Sequence, residues 1–197
     1  DDTLTGGDGI DLLNGGEGND TINGAGYGDI IEGGDGIDRL NFDLTGRSED
    51  ITINTLSGEG PGASWTGIEI LNGTLGSGND TVVAEANTGS VDGGGGEDRI
   101  SLDYSKALPN GELASRLHLQ LDTQVGTYWS SYTEFVYYSN DTNSYTFNIN
   151  NFEHIEVVGT PGNDVIEGVD GSNTFYGLGG DDTLTGGDGI DLLNGGE

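Results

Sequence analysis

In 197 residues the chain carries 35 Asp and Glu against 5 Lys and Arg, a formal net charge of −30. That balance excludes a nucleic-acid or anionic-membrane partner, since phosphate binding needs clustered Lys and Arg. Cysteine is absent, which removes disulfides and thiolate metal sites. Leu, Ile, Val and Phe make only 46 residues, close to the composition of chains that stay disordered. Collapse therefore requires that the acid be neutralised, and cations are the direct means. There is no signal-peptide pattern and no apolar run long enough to span a membrane. The chain has no Met and starts in mid-pattern at Asp1, which reads as a piece of a longer protein.

From Gly6 to Asn41 the sequence divides into nine-residue blocks: GGDGIDLLN, GGEGNDTIN, GAGYGDIIE and GGDGIDRLN. The sixth position holds Asp11, Asp20, Asp29 and Asp38, and the eighth holds Leu13, Ile22, Ile31 and Leu40. A first excursion, 42–74, contains an alternating strand pattern at 50–56 (DITINTL) and returns through an Ile-Glu strand. A second run of blocks covers 75–101: LGSGNDTVV, AEANTGSVD and GGGGEDRIS. The middle block keeps Val91 but lacks the Asp, and reads as a coil edge without metal. A second excursion, 102–158, is longer and aromatic, with Tyr128, Trp129, Tyr132, Phe135, Tyr137, Tyr138, Tyr145 and Phe147. Its SNDTNS stretch reads as a hairpin turn, and the rings read as a small core at the side of the main fold. A third run covers 159–194: GTPGNDVIE, GVDGSNTFY, GLGGDDTLT and GGDGIDLLN. Residues 34–80 and 94–164 share one plan: loop, strand, excursion, Ile-Glu strand, loop.

Each block has six residues of turn chemistry and three of strand chemistry. Glycines permit positive φ and close backbone approach. The last three residues point one apolar side chain inward and two neighbours outward. Strands this short need neighbours on both edges, about 4.8 Å away. Two blocks make a coil of 18 residues, so loops 18 apart lie over one another. Their Asp carboxylates then converge with the carbonyls of the glycine turn, and a flexible cage of hard oxygens is a calcium site.

These blocks resemble the RTX (repeats-in-toxin) calcium-binding nonapeptide, over 6–41, 75–101 and 159–194. The resemblance implies an all-β parallel β-roll, a β-solenoid with calcium in its turns and the aromatic β-hairpin as a lateral excursion. It also implies a ligand pattern. Carbonyls two and four and the Asp of one loop join carbonyls one and three and the Asp of the loop one coil on. Carried over, one site joins Gly16, Gly18 and Asp20 to Gly33, Asp35 and Asp38. A second joins Gly7, Gly9 and Asp11 to Gly24, Gly26 and Asp29, although Tyr27 stands where a Gly is expected. A third joins Gly76, Gly78 and Asp80 to Gly93, Gly95 and Asp98. A fourth joins Thr160, Gly162 and Asp164 to Gly177, Gly179 and Asp182. Two weaker ones join Asp2 to Gly15, Glu17 and Asp20, and Gly171 and Asn173 to Gly186, Asp188 and Asp191.

Catalysis finds little support: His118 and His154 are isolated from any mechanistic motif. Residues 1–17 are identical to 181–197, an offset of 180, which reads as one period of a tandem array. The expectation is one continuous solenoid, binding several calcium ions and acting as a structural module of an extracellular adhesin, surface layer or matrix fibre. Its expected partners are calcium and further copies stacked head to tail, with no nucleic acid and no membrane insertion. An alternative is a glycan- or protein-binding module using the aromatic excursion. A third reading is the non-catalytic part of a secreted RTX enzyme.

Overall fold

A computed structural model describes residues 1–24, 26, 28–55, 57–60, 63–85, 88–105, 118–120, 131–137, 144–168 and 171–197. For 118–120, 131–137 and 144–148 it describes backbone alone. Tyr27, Tyr128, Trp129, Tyr138 and the turn at 139–143 lie outside the described residues, as do the side chains of His118, Tyr132, Phe135, Tyr137, Tyr145 and Phe147.

Every described element is a strand. In the first run these are β1 (Thr3–Thr5), β2 (Leu12–Glu17), β3 (Thr21–Asn23), β4 (Ile30–Asp35) and β5 (Arg39–Asp43). The first excursion adds β6 (Thr52–Asn54), β7 (Glu59–Gly60), β8 (Ala63–Thr66) and β9 (Ile70–Thr74). The central run supplies β10 (Thr81–Glu85), β11 (Thr88–Asp92) and β12 (Arg99–Asp103). The second excursion holds β13 (His118–Gln120), β14 (Ser131–Tyr137), β15 (Ser144–Asn150) and β16 (His154–Val158). The last run ends with β17 (Val165–Glu167), β18 (Ser172–Tyr176), β19 (Thr183–Thr185) and β20 (Leu192–Asn194).

Alternate strands fall on opposite faces of the roll. One face is the sheet β1-β3-β5-β9-β11-β15-β14, and the other is β2-β4-β8-β7-β6-β10-β12-β16-β18-β20, while β13-β17-β19 form a third sheet. Within the block runs, partners are 18 residues apart and parallel, as in Leu4 with Ile22, Leu13 with Ile31, Val82 with Ile100 and Phe175 with Leu193. This register follows from the period-2 pattern of each triplet, because a one-residue slip would turn the central apolar side chain outward. The block lacking its Asp is an inner strand: β11 pairs with β9 on one side and β15 on the other.

The excursions are spliced into the faces. In the first, β6, β7 and β8 form an antiparallel meander whose outer strands pair in parallel with β10 and β4. In the second, β14 and β15 make the expected hairpin, and β15 runs parallel to β11.

The core is a narrow file between the faces. Ile22, Ile31, Leu40, Leu71, Val82, Val91, Ile100, Ile155, Ile166 and Phe175 are all buried. Each such side chain contributes roughly 1.5–3 kcal/mol. At the two ends the same positions are open: Leu13 is half-buried, and Leu193, stacked on Phe175, is exposed.

Candidate metal centre

From one paired triplet to the next, six residues turn the corner, as at 6–11, 15–20 and 33–38, with the pairing of β2 and β4 running on into the first half of the last two. Its last residue is the Asp, placed immediately before the next strand. That position stacks the acid on itself. The Asp20 N–H donates to Oδ1 of Asp38 at 2.8 Å, and Oδ1 of Asp20 accepts from the Asp2 N–H. The same bond joins Asp11 to Asp29, Asp80 to Asp98, Asp164 to Asp182, and Asn173 to Asp191. All six pairs expected from the 18-residue spacing, five of them Asp with Asp and one Asn173 with Asp191, are therefore brought together.

The second carboxylate oxygen decides the chemistry. Oδ2 of Asp11, Asp20, Asp38, Asp98 and Asp182 is buried with no hydrogen-bond partner among the described residues. A buried ionised oxygen without a partner costs several kcal/mol. Each lies in a cradle made by the first glycine of its own block. A Cβ on Gly15 would sit 2.3 Å from Asp20 Oδ2 and 2.5 Å from the Gly33 carbonyl oxygen. A Cβ on Gly177 would meet Asp182 Oδ2 and the Gly195 carbonyl in the same way. An acidic oxygen of one coil and a carbonyl oxygen of the next thus converge where glycine leaves space.

The glycines at the second and fourth block positions bring the coils close. Gly34 and Gly36 hold φ of +113° and +147°, and a Cβ on either would lie within 2.0 Å of the carbonyl oxygen of Gly16 or Gly18. Some of the expected carbonyls also accept hydrogen bonds: Asp35 from the Gly18 N–H, Gly76 from the Gly95 N–H, and Asp188 from the Gly171 N–H.

The pairs are not equivalent. Asp29, Asp80 and Asp164 turn Oδ2 onto their own loops, accepting from the N–H of Gly26, Gly76 and Thr160. Where Asn173 replaces the Asp, its Nδ2 donates to the Gly186 carbonyl and to Asp191 Oδ1, so an amide fills the cradle. Burial pushes the Asp80 carboxyl up. It pushes Asp98 up to about 6, with the Asp80 N–H opposing and the Asp80 charge adding to the rise. Neutralisation of this pair is thus favoured by its burial.

Among the described residues no three acidic or histidine side chains gather into one cluster. A cation here must draw on backbone oxygens, as a Gly-rich corner permits. Two carboxylates plus several carbonyls are a hard-oxygen set suited to calcium, and the absence of imidazole and thiolate makes it a poor set for softer metals.

Sequence reasoning missed a second ladder one residue earlier. Asn19 Oδ1 accepts from the Ile37 N–H, and the Asn19 N–H donates to Asp1 Oδ1. Asn79 and Asn163 repeat the pattern toward Glu97 and Asp181. The signal was the recurring Asn-Asp pair in GNDTIN, GNDTVV and GNDVIE. It also missed Glu69 and Glu153, whose Oε2 accepts from the N–H of Asp38 and Asp98, both at 2.8 Å.

Against known families, the RTX calcium-binding nonapeptide repeat matches in four copies, over residues 1–26, 67–103 and 158–196. That is just over half of the chain. The chain belongs to the RTX nonapeptide-repeat family. None of the curated proteins compared matches it. The RTX matches fall on the three stacked runs and leave out 27–66, yet the ladder continues through that gap at Asp29 and Asp38.

A ranking follows. Asp20 is buried and bonded to the coils on both sides, whereas Asp191 meets an asparagine already bonded to it. Asp20→Ala should lower calcium stoichiometry and stability more than Asp191→Ala in calorimetric titration. Equal effects would contradict the stacking described above.

Proposed function

We propose that the chain is a calcium-rigidified structural module of an extracellular surface or matrix protein, holding several calcium ions between its coils and without a catalytic role. The observation that carries this is the acid ladder. In all three runs the block acids stack at one register, and partnerless buried oxygens face glycine cradles in each. The ligands are those of the pairs described above, with Asp20–Asp38, where both Oδ2 atoms are partnerless among the described residues, the best formed. Bound calcium would supply the charge that Asp98 and its neighbours otherwise lack, and it would tie each coil to the next. Binding of this type suits extracellular calcium, with Kd on the order of 10⁻⁴–10⁻³ M. Among the described residues no helix is long and apolar enough to cross a membrane.

The repeat at the two ends supports a rod. Residues 1–17 and 181–197 are identical, and both copies open alike. Each begins with a three-residue strand, and φ is +89° at both Gly7 and Gly187. A following unit could therefore continue the stack in register and cover Leu193, the exposed side chain stacked on Phe175. Small-angle scattering on chains of one, two and three units tests this. The maximum dimension should grow by a constant step per unit in calcium and fall to coil-like scaling in chelator. Independent beads on flexible joints in calcium would overturn the rod.

A further inference from the structure

The nonapeptide ladder stops at Asp38 and again at Asp98, because the next coil in each case comes from an excursion that carries no block. Both acids are nonetheless fully buried, with Oδ2 partnerless among the described residues. What lies over them is the same device built twice. Between β8 and β9 the corner is Gly67-Ile68-Glu69, and between β15 and β16 it is Asn151-Phe152-Glu153. Three residues thus replace the six of the regular corner. Each starts with a left-handed residue, Gly67 at φ +62° or Asn151 at φ +54°. Each ends with a glutamate immediately before the strand, at the place the Asp holds elsewhere. Each glutamate accepts the N–H of the acid beneath it.

The carbonyls correspond too. A Cβ on Gly33 would lie 1.8 Å from the Gly67 carbonyl oxygen and 2.6 Å from Asp38 Oδ2. A Cβ on Gly93 would lie 2.2 Å from the Asn151 carbonyl oxygen and 2.6 Å from Asp98 Oδ2. This is the arrangement found at Gly15, where Asp20 Oδ2 meets the carbonyl of the next coil.

We propose that the two junctions are calcium sites of a second kind, in which Glu69 or Glu153, from outside the repeat, stands in for the aspartate of the next coil. One site takes the Asp38 and Glu69 carboxylates with the Gly67 carbonyl; the other takes Asp98 and Glu153 with the carbonyl of Asn151. The inference rests on the reading that the regular Asp pairs bind calcium. It adds that the runs ending at Asp38 and at Asp98 each gain one further acid from the adjoining excursion. The pairing excludes a purely structural role for the glutamate only if its charge matters, and that can be measured.

Native mass spectrometry of the full chain at a calcium concentration that saturates the wild type counts the ions. Glu69→Gln and Glu153→Gln keep an oxygen for the N–H below and remove the charge. Each should lose one ion, or hold it at least about tenfold more weakly, and the double variant should lose two, with the β signal in calcium retained. A double variant with the full count and unchanged affinity overturns the proposal. A wild type that binds no calcium refutes the regular sites instead, before any variant is made. If one variant fails to fold, the other junction carries the test. If both fail, the wild-type count decides. Two ions beyond the number of stacked acid pairs support the junctions, and a count equal to that number overturns them.

Discussion

In excess chelator the chain loses most of its β structure, and millimolar calcium restores it. The opposing terms make this the largest effect expected of any single change of condition. Against 35 acidic residues stand 5 basic ones, and six of the stacked acids, Asp20, Asp29, Asp38, Asp80, Asp98 and Asp164, are buried. Two like charges about 4 Å apart repel by roughly 4 kcal/mol at an effective dielectric near 20. The core that must outweigh this is narrow, aliphatic with Phe42, Trp65, Tyr104, Phe152 and Phe175 among it, because each strand points only one or two side chains inward. Calcium acts twice, removing the repulsion and linking coil to coil. With Kd on the order of 10⁻⁴–10⁻³ M, about 10 mM calcium stabilises the folded chain by roughly 1.4–2.7 kcal/mol per site. Several sites together reach the whole stability of an ordinary domain, about 5–15 kcal/mol. Far-ultraviolet circular dichroism in chelator, then after calcium is returned, checks it. A full β spectrum in chelator would mean that hydrophobic stacking alone holds the roll.

Gly33→Ala should cost at least about 3 kcal/mol in calcium, whereas Gly95→Ala should fall within about 0.5 kcal/mol of wild type. The sequence pattern treats the two alike, as carbonyl donors in successive loops. The structure separates them. A methyl on Gly33 would lie 1.8 Å from a backbone oxygen of the next coil and 2.8 Å from Asp38 Cβ. Neither can swing aside, so the coils would have to part and the cradle beside Asp38 would be filled. At Gly95 nothing lies within 4 Å of the added carbon, and φ is outside the left-handed region. Denaturant melts of calcium-saturated protein measure both. Equal losses would show that a general preference for glycine, rather than coil contact, sets the pattern.

The roll was legible in the sequence wherever chemistry recurs at a fixed interval. Asp20 and Asp38, or Ile22 and Leu40, are repeats of one environment, and a period of 18 stacks them without further information. What escaped notice lacks that period. Glu69 lies 31 residues from Asp38, and Glu153 lies 55 from Asp98. No spacing rule reaches either, though both precede a strand as the block acids do. The meander of β6, β7 and β8 escaped for the same reason. Its partners β4 and β10 are set by which sheet edge the excursion leaves open, a property of the stack rather than of residues 52–66. The first glycine of each block was read as a flexible turn residue lending its carbonyl to the metal. Its use, as the space that an Asp oxygen occupies, appears only once Asp20 Oδ2 is seen beside Gly15.

The account stands on cations lying between stacked coils and not on the acidic surface. Crystals grown in calcium, with anomalous diffraction data collected to locate it, test this most directly. The expected peaks lie between Asp20 and Asp38 and between Asp80 and Asp98, within coordination distance of Asp Oδ2 and the carbonyls of Gly33 and Gly93. Peaks confined to exposed carboxylates such as Asp8 and Asp188, with the cradles beside Gly15 and Gly33 empty, would contradict it.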